Sequence, residues 1–138
     1  MLDSVLASIE AQTKDQASVA ADHARKHDIL SELAPPLWAK FRHTLKVECE
    51  KRPKYFMFMV GADTIVACKI NHRALEVEYS PASKTIAFRI MDKEADDFIG
   101  RYSIRLDEND LAAIYDADRK ILVSISSVVD KLLTLLVS

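Results

Sequence analysis

Between Tyr55 and about Leu106 apolar and polar residues alternate with the two-residue period of strands buried on one face. Leu75, Val77 and Tyr79 alternate with Ala74, Glu76 and Glu78, and Ile86, Phe88 and Ile90 with Thr85, Ala87 and Arg89. Phe98, Tyr102, Ile104 and Leu106 repeat the pattern against Arg101, Ser103 and Arg105. The connections Asn71-His72-Arg73 and Ser80-Pro81-Ala82-Ser83-Lys84 are short and rich in turn residues. Neighbours in sequence are therefore expected to pair as an antiparallel meander. Such pairing can set Glu76 opposite Arg89, a cross-strand pair worth a few tenths to about 1 kcal/mol.

The first strand departs from this pattern. Tyr55-Phe56-Met57-Phe58-Met59-Val60 is apolar at every position, so both of its faces ask for cover. The plain expectation is a central strand between helices. Met beside Phe also suits an adaptable apolar surface, so Tyr55, Phe56, Met57, Phe58 and Met59 are the candidate interaction surface. Gly61-Ala62-Asp63 turns this strand into Thr64 to Ile70.

Helical patterns flank the strands. From Leu2 to about Leu33 the chain is rich in Ala, Glu, Gln, Lys and Asp without Gly or Pro, which predicts one long helix. Leu2, Leu6 and Ile9 begin an apolar stripe and Ile29, Leu30 and Leu33 end one, while Ala17, Val19, Ala20, Ala21 and Ala24 between them offer little area. A helix of this kind meets a partner helix, most simply its counterpart in a second subunit, or projects as an exposed arm. Pro35-Pro36 is expected to stop it. A second helix then carries Leu37, Phe41, Leu45 and Cys49 on one face with Trp38 beside them, and Pro53 closes it. The other face holds Lys40, Arg42, Lys46, Lys51, Arg52 and Lys54 against Glu48 and Glu50.

Leu111–Tyr115 and Lys120–Val123 flank Asp116-Ala117-Asp118-Arg119 as a further hairpin. Ser127 with Asp130 resembles a capping box, and Val128, Val129, Leu132, Leu133 and Leu136 give a final helix its apolar face. Asp130-Lys131 interrupts that segment, which favours burial over membrane insertion.

At 138 residues and a net charge of −2, the chain is sized for a single core and has no global pull toward nucleic acid or membrane. The only glycines, Gly61 and Gly100, exclude phosphate-cradling loops and dinucleotide fingerprints, and no serine sits between glycines as a nucleophile would. The only cysteines, Cys49 and Cys68, read as reduced thiols, and Met1-Leu2-Asp3-Ser4 lacks the features of a secretory leader. The expected location is cytoplasmic.

Chemistry-bearing candidates are sparse. His23 and His27 share a helix face at a spacing that suits two metal ligands, but Arg25 and Lys26 stand beside them, and no metal or cofactor is assigned. His43 and His72 have no partner that the sequence can name. Asp92, Glu94 and Asp96, like Asp116 and Asp118, alternate as calcium ligands do, without the glycine or closing glutamate of a calcium loop. Plain turn acids are the simpler reading. The basic residues Lys40 to Lys54 can lie along a phosphate backbone, with Tyr55 stacking on a base.

These readings give an α+β chain. A long N-terminal helix (1–34, an arm or dimerisation helix) precedes a domain (35–138) with a second helix, a meander of five to seven strands and a C-terminal helix packed on the sheet. The leading functional expectation is a non-catalytic interaction module, a homodimer or a partner of another protein. A carrier or sensor holding a small apolar ligand between sheet and helix is the second, and nucleic-acid binding through 37–54 the third. Enzymatic activity comes last.

Overall fold

The computed structural model describes residues 2–92 and 96–138, with backbone alone at 11, 13–15 and 96–98. The meander is complete. Strands β1 (Met57–Ala62), β2 (Ile65–Ile70), β3 (Arg73–Ser80), β4 (Thr85–Met91), β5 (Asp96–Leu106), β6 (Ala112–Asp116) and β7 (Ile121–Val123) form one seven-stranded antiparallel sheet in sequence order. Helix α1 (Leu2–Glu50) precedes it and α2 (Ile125–Val137) follows.

The register carries out the alternation. Phe58, Cys68, Leu75 and Ile90 stand in one row across β1 to β4, and Val66, Val77, Phe88 and Gly100 in the next across β2 to β5. These rows and Tyr79, Ile86, Tyr102, Ile104 and Ile114 face the core. On the opposite face Glu76 is paired with Arg89, whose guanidinium donates to it at 3.1 Å. Phe98, expected on the inner face, stands opposite Ile90 by its backbone, and its side chain lies outside the described residues.

Close packing explains Gly100. A Cβ built there would lie 2.4 Å from Cζ of Phe88, the ring on the neighbouring strand. That ring is buried and stacks on Tyr102 at 5.8 Å, so it has little room to give. Gly100→Ala is expected to lower stability by about 1–3 kcal/mol, as overpacked cores do. An unchanged urea midpoint would show that the row is loosely packed.

Helix α1 corrects the expected break. It runs without interruption from Leu2 to Glu50 with Pro35 and Pro36 inside it, so the two helices expected on either side of the prolines are one. Each proline forfeits a backbone hydrogen bond, to the carbonyls of residues 31 and 32, and an interior proline costs about 3 kcal/mol. Ser31, Glu32, Pro35 and Pro36 are all exposed, so water can satisfy the released carbonyls. On the other side Ala34, Trp38, Phe41, Leu45 and Cys49 are buried against the sheet and α2, and this burial outweighs the local preference. Trp38 stacks on Phe41 and Tyr79 and donates its indole N–H to the Asp63 carbonyl at 2.8 Å, tying the β1–β2 turn to the helix.

The N-cap of the C-terminal helix also differs from expectation. Ser124, not Ser127, is the N-cap: its Oγ accepts the backbone N–H of Ser127 at 3.1 Å, and Ser127 lies inside the first turn. The apolar face of α2 is buried at Val128, Val129, Leu132, Leu133 and Leu136. The sheet thus has α2 and the C-terminal half of α1 on one face and a mixed-charge surface on the other.

Candidate functional site

At 1.5 Å per residue α1 is about 74 Å long. Only its C-terminal half, from about Ile29 onward, is docked on the sheet. Extended at 3.6 residues per turn, the buried face of Leu30, Ala34, Phe41 and Leu45 passes through His27, His23, Gln16 and Gln12, with Val19 at its margin, and becomes apolar again at Ile9, Leu6, Val5 and Leu2. Here that face lies open: Leu2 is 70% exposed, Val5 54%, Leu6 50% and Val19 56%. Arg25 marks the approach of the arm to the body, pairing with Asp110 of the β5–β6 turn at 3.3 Å and with Asp22 at 2.9 Å. Both partners raise the Arg25 pKa above its usual value, and the hydrogen bond from Arg25 lowers that of Asp22.

The first strand is placed otherwise than expected. β1 is the edge of the sheet, hydrogen-bonded to β2 alone, rather than a central strand. Its inward side is partly covered, since Phe56 and Phe58 pack on the core. Tyr55, in the turn before the strand, is 65% exposed and Met57 61%. An all-apolar run does not distinguish a strand enclosed by its own chain from an edge whose second face is free.

A groove of about 710 Å³ opens between the end of α1 and α2. Phe56, Ile70, Leu133 and Val137 supply apolar lining, while Glu48, Arg52 and Asp130 supply charge. The Thr44 and Thr134 hydroxyls at its wall donate to carbonyls of their own helices, Lys40 and Asp130. The groove gathers Tyr55 and Phe56 of the candidate surface with Arg52 of the basic face. The sequence alone does not place them beside Asp130 and Leu133, because the approach of α2 is set by tertiary packing.

The basic face is interleaved with carboxylates. Lys51 and Arg52 lie 2.8 and 3.4 Å from the Glu48 carboxylate, whose pKa they lower, the Lys51 hydrogen bond most. Lys46 reaches Glu50 at 3.9 Å, and Arg42 donates to the Asp63 carbonyl at 3.0 Å. Lys40 and Lys54 are exposed on the surface.

His23 and His27 are exposed on the arm, with His27 3.9 Å from Asp28. Among the described residues no three His, Cys, Asp or Glu side chains converge as metal ligands would. Asp116 is buried, and its Oδ1 accepts the backbone N–H groups of Asp118 and Arg119, so it organises the β6–β7 turn. Asp107 does the same for Asn109 and Leu111. Of the other acidic loop, Glu94 and the Asp96 side chain lie outside the described residues. His72 has a partner that spacing does not reveal: its Nε2 is 3.1 Å from Asp92, which the β3–β4 hairpin returns beside it. Cys49 and Cys68 also meet, Sγ to Sγ at 3.2 Å, as free thiols.

Among the described residues no helix is long and apolar enough to cross a membrane. No family model matches the chain, and no curated protein or solved structure is similar to it.

Proposed function

We propose that the chain is a non-catalytic interaction module whose working form is a homodimer, joined through the outward half of α1 with the apolar edge at β1 as a second contact. The observation that carries this reading is the apolar cluster Leu2, Val5, Leu6 and Ile9, exposed at the far end of the helix whose other end is covered by the chain's own sheet from Leu30 onward. The docked half supplies the helical nucleus, so the arm extends as helix at little further cost, yet its apolar side chains gain only when another surface covers them. The same arm of a second copy offers a self-complementary face under two-fold symmetry. The reduced thiols favour the cytoplasm as the setting. The test is the molar mass of the full chain by light scattering at roughly tens of micromolar. Twice the chain mass is expected, and a monomer overturns the reading.

The groove between α1 and α2 supports a second reading, binding of a small amphipathic molecule. Its volume lies in the range of small-molecule sites, and apolar lining with a few charged groups is their usual composition. A neutral solvatochromic dye is expected to bind there and to be lost on Val137→Arg. Dye binding unchanged by that substitution removes the groove from consideration.

A further inference from the structure

The strongest feature unused by either reading is the pair of thiols in the core. Cys49 and Cys68 are 1% and 0% exposed, come from α1 and β2, and face each other at 3.2 Å across 19 residues of sequence. A core position asks only for a small apolar side chain, which Ala or Val would supply. Two sulfurs in contact add a chemistry that packing does not require. We propose that Cys49 and Cys68 are a redox pair that closes to an intrachain disulfide when the protein meets a peroxide, fastening the end of α1 to the sheet.

The two thiols are not equivalent. Either sulfur can donate in the 3.2 Å contact; the bond from Cys68 lowers the Cys49 pKa against its burial, while the same pairing and burial raise that of Cys68. Arg52 also favours the Cys49 thiolate, against Glu48 and Glu50. Its place at the end of α1, together with this asymmetry, makes Cys49 the sulfur that attacks. It also has the shorter way to solvent. Cys49 is one residue from the end of α1, where Lys51 and Arg52 still bond back to Val47 and Cys49 carbonyls, and a terminal turn opens at less cost than the whole fold. Glu48 and Arg52, which flank Cys49 in sequence, line the groove, while Cys49 itself faces the core.

The chemistry balances with peroxide as the oxidant. The Cys49 thiolate attacks one peroxide oxygen, the O–O bond breaks, and hydroxide leaves as Cys49 becomes a sulfenic acid. Cys68 sulfur then attacks the Cys49 sulfur, the S–O bond breaks, and the oxygen departs as water with the Cys68 proton. In sum, two thiols and one hydrogen peroxide give one disulfide and two waters. A thiol reductant reverses the bond by exchange. The link restrains the last turn of α1 and the turn after it, which carry the Glu48 and Arg52 wall of the groove, and it does not depend on dimerisation.

The experiment treats the full native chain with hydrogen peroxide, alkylates it in denaturant and measures intact mass and cross-linked peptides. The expected product has lost both thiol hydrogens, takes up no alkylating reagent, links Cys49 to Cys68 within one chain and returns to the dithiol with dithiothreitol. Its thermal midpoint is expected to rise by about 5–15 °C. Two alkylated thiols after treatment, a chain carrying only sulfinic or sulfonic acid, or a link between chains overturns the proposal. Cys68→Ser is expected to stop at a Cys49 sulfenic acid trapped by dimedone, whereas Cys49→Ser is expected to slow Cys68 oxidation at least tenfold or so. If either variant fails to fold, the wild-type mass alone decides.

Discussion

Replacing Val5 and Leu6 together by glutamate is expected to convert a dimer into a monomer while leaving the body of the protein intact. Both side chains lie on the exposed arm, half or more open to solvent, and neither belongs to the buried core. Covering each contributes about 1–2 kcal/mol in a dimer, and two-fold symmetry doubles every loss. Charges brought into an apolar seam, with like charges from the partner facing them, add a further cost. Since about 1.4 kcal/mol is tenfold in affinity, the dissociation constant should weaken by at least about a thousandfold. Light scattering reads the change in mass. Circular dichroism should show at most a partial loss of helix, from fraying of the uncovered end of an arm that the docked half still nucleates. The sheet should still unfold cooperatively, with its midpoint lowered by the lost mass-action stabilisation and no longer dependent on concentration. A variant that remains dimeric places the contact elsewhere, with the β1 edge the first alternative to examine.

What was legible in the sequence, and what was not, follows from how local each determinant is. The strands were legible because alternation and turn residues act within a few positions: the Glu76–Arg89 pair and the hairpin of β6 and β7 follow from spacing alone. The prolines were misleading for the converse reason. Their penalty is local, about 3 kcal/mol each, while the compensation comes from packing the segment after them on the sheet, where Trp38 stacks on Tyr79, a residue distant in sequence. β1 was ambiguous because an apolar run records that cover is wanted and not whose cover it is. Its place at the sheet edge turns that ambiguity into a physical question about a partner, since an edge strand also presents unpaired backbone groups. The Cys49–Cys68 contact, the His72–Asp92 pair and the groove all depend on how α1, the hairpins and α2 meet. A single sequence gives no spacing rule for such encounters.

The docked half of α1 is the joint on which both the arm and the groove depend, and Phe41 is its central anchor. Phe41 is completely buried and stacks on Trp38 at 5.8 Å, and Trp38 in turn stacks on Tyr79 and holds the β1–β2 turn. Phe41→Ala is expected to cost about 3–5 kcal/mol, the transfer term plus the cavity left behind, because the neighbouring rings are held by their own contacts and cannot collapse into the space. Against a total stability of about 5–15 kcal/mol this is a large fraction, and the thermal midpoint should fall by roughly 10–15 °C. Phe41→Leu, which keeps most of the volume, should cost less than half as much. The two substitutions separate the roles of the two halves of one helix: Phe41→Ala should weaken the fold and thereby dimer and groove together, whereas the arm substitutions should abolish the dimer and leave the fold standing. If Phe41→Ala left the denaturant midpoint unchanged, the helix would not be fastened to the sheet by this face. Burial of the same face could then no longer explain why α1 passes through Pro35 and Pro36 without a break.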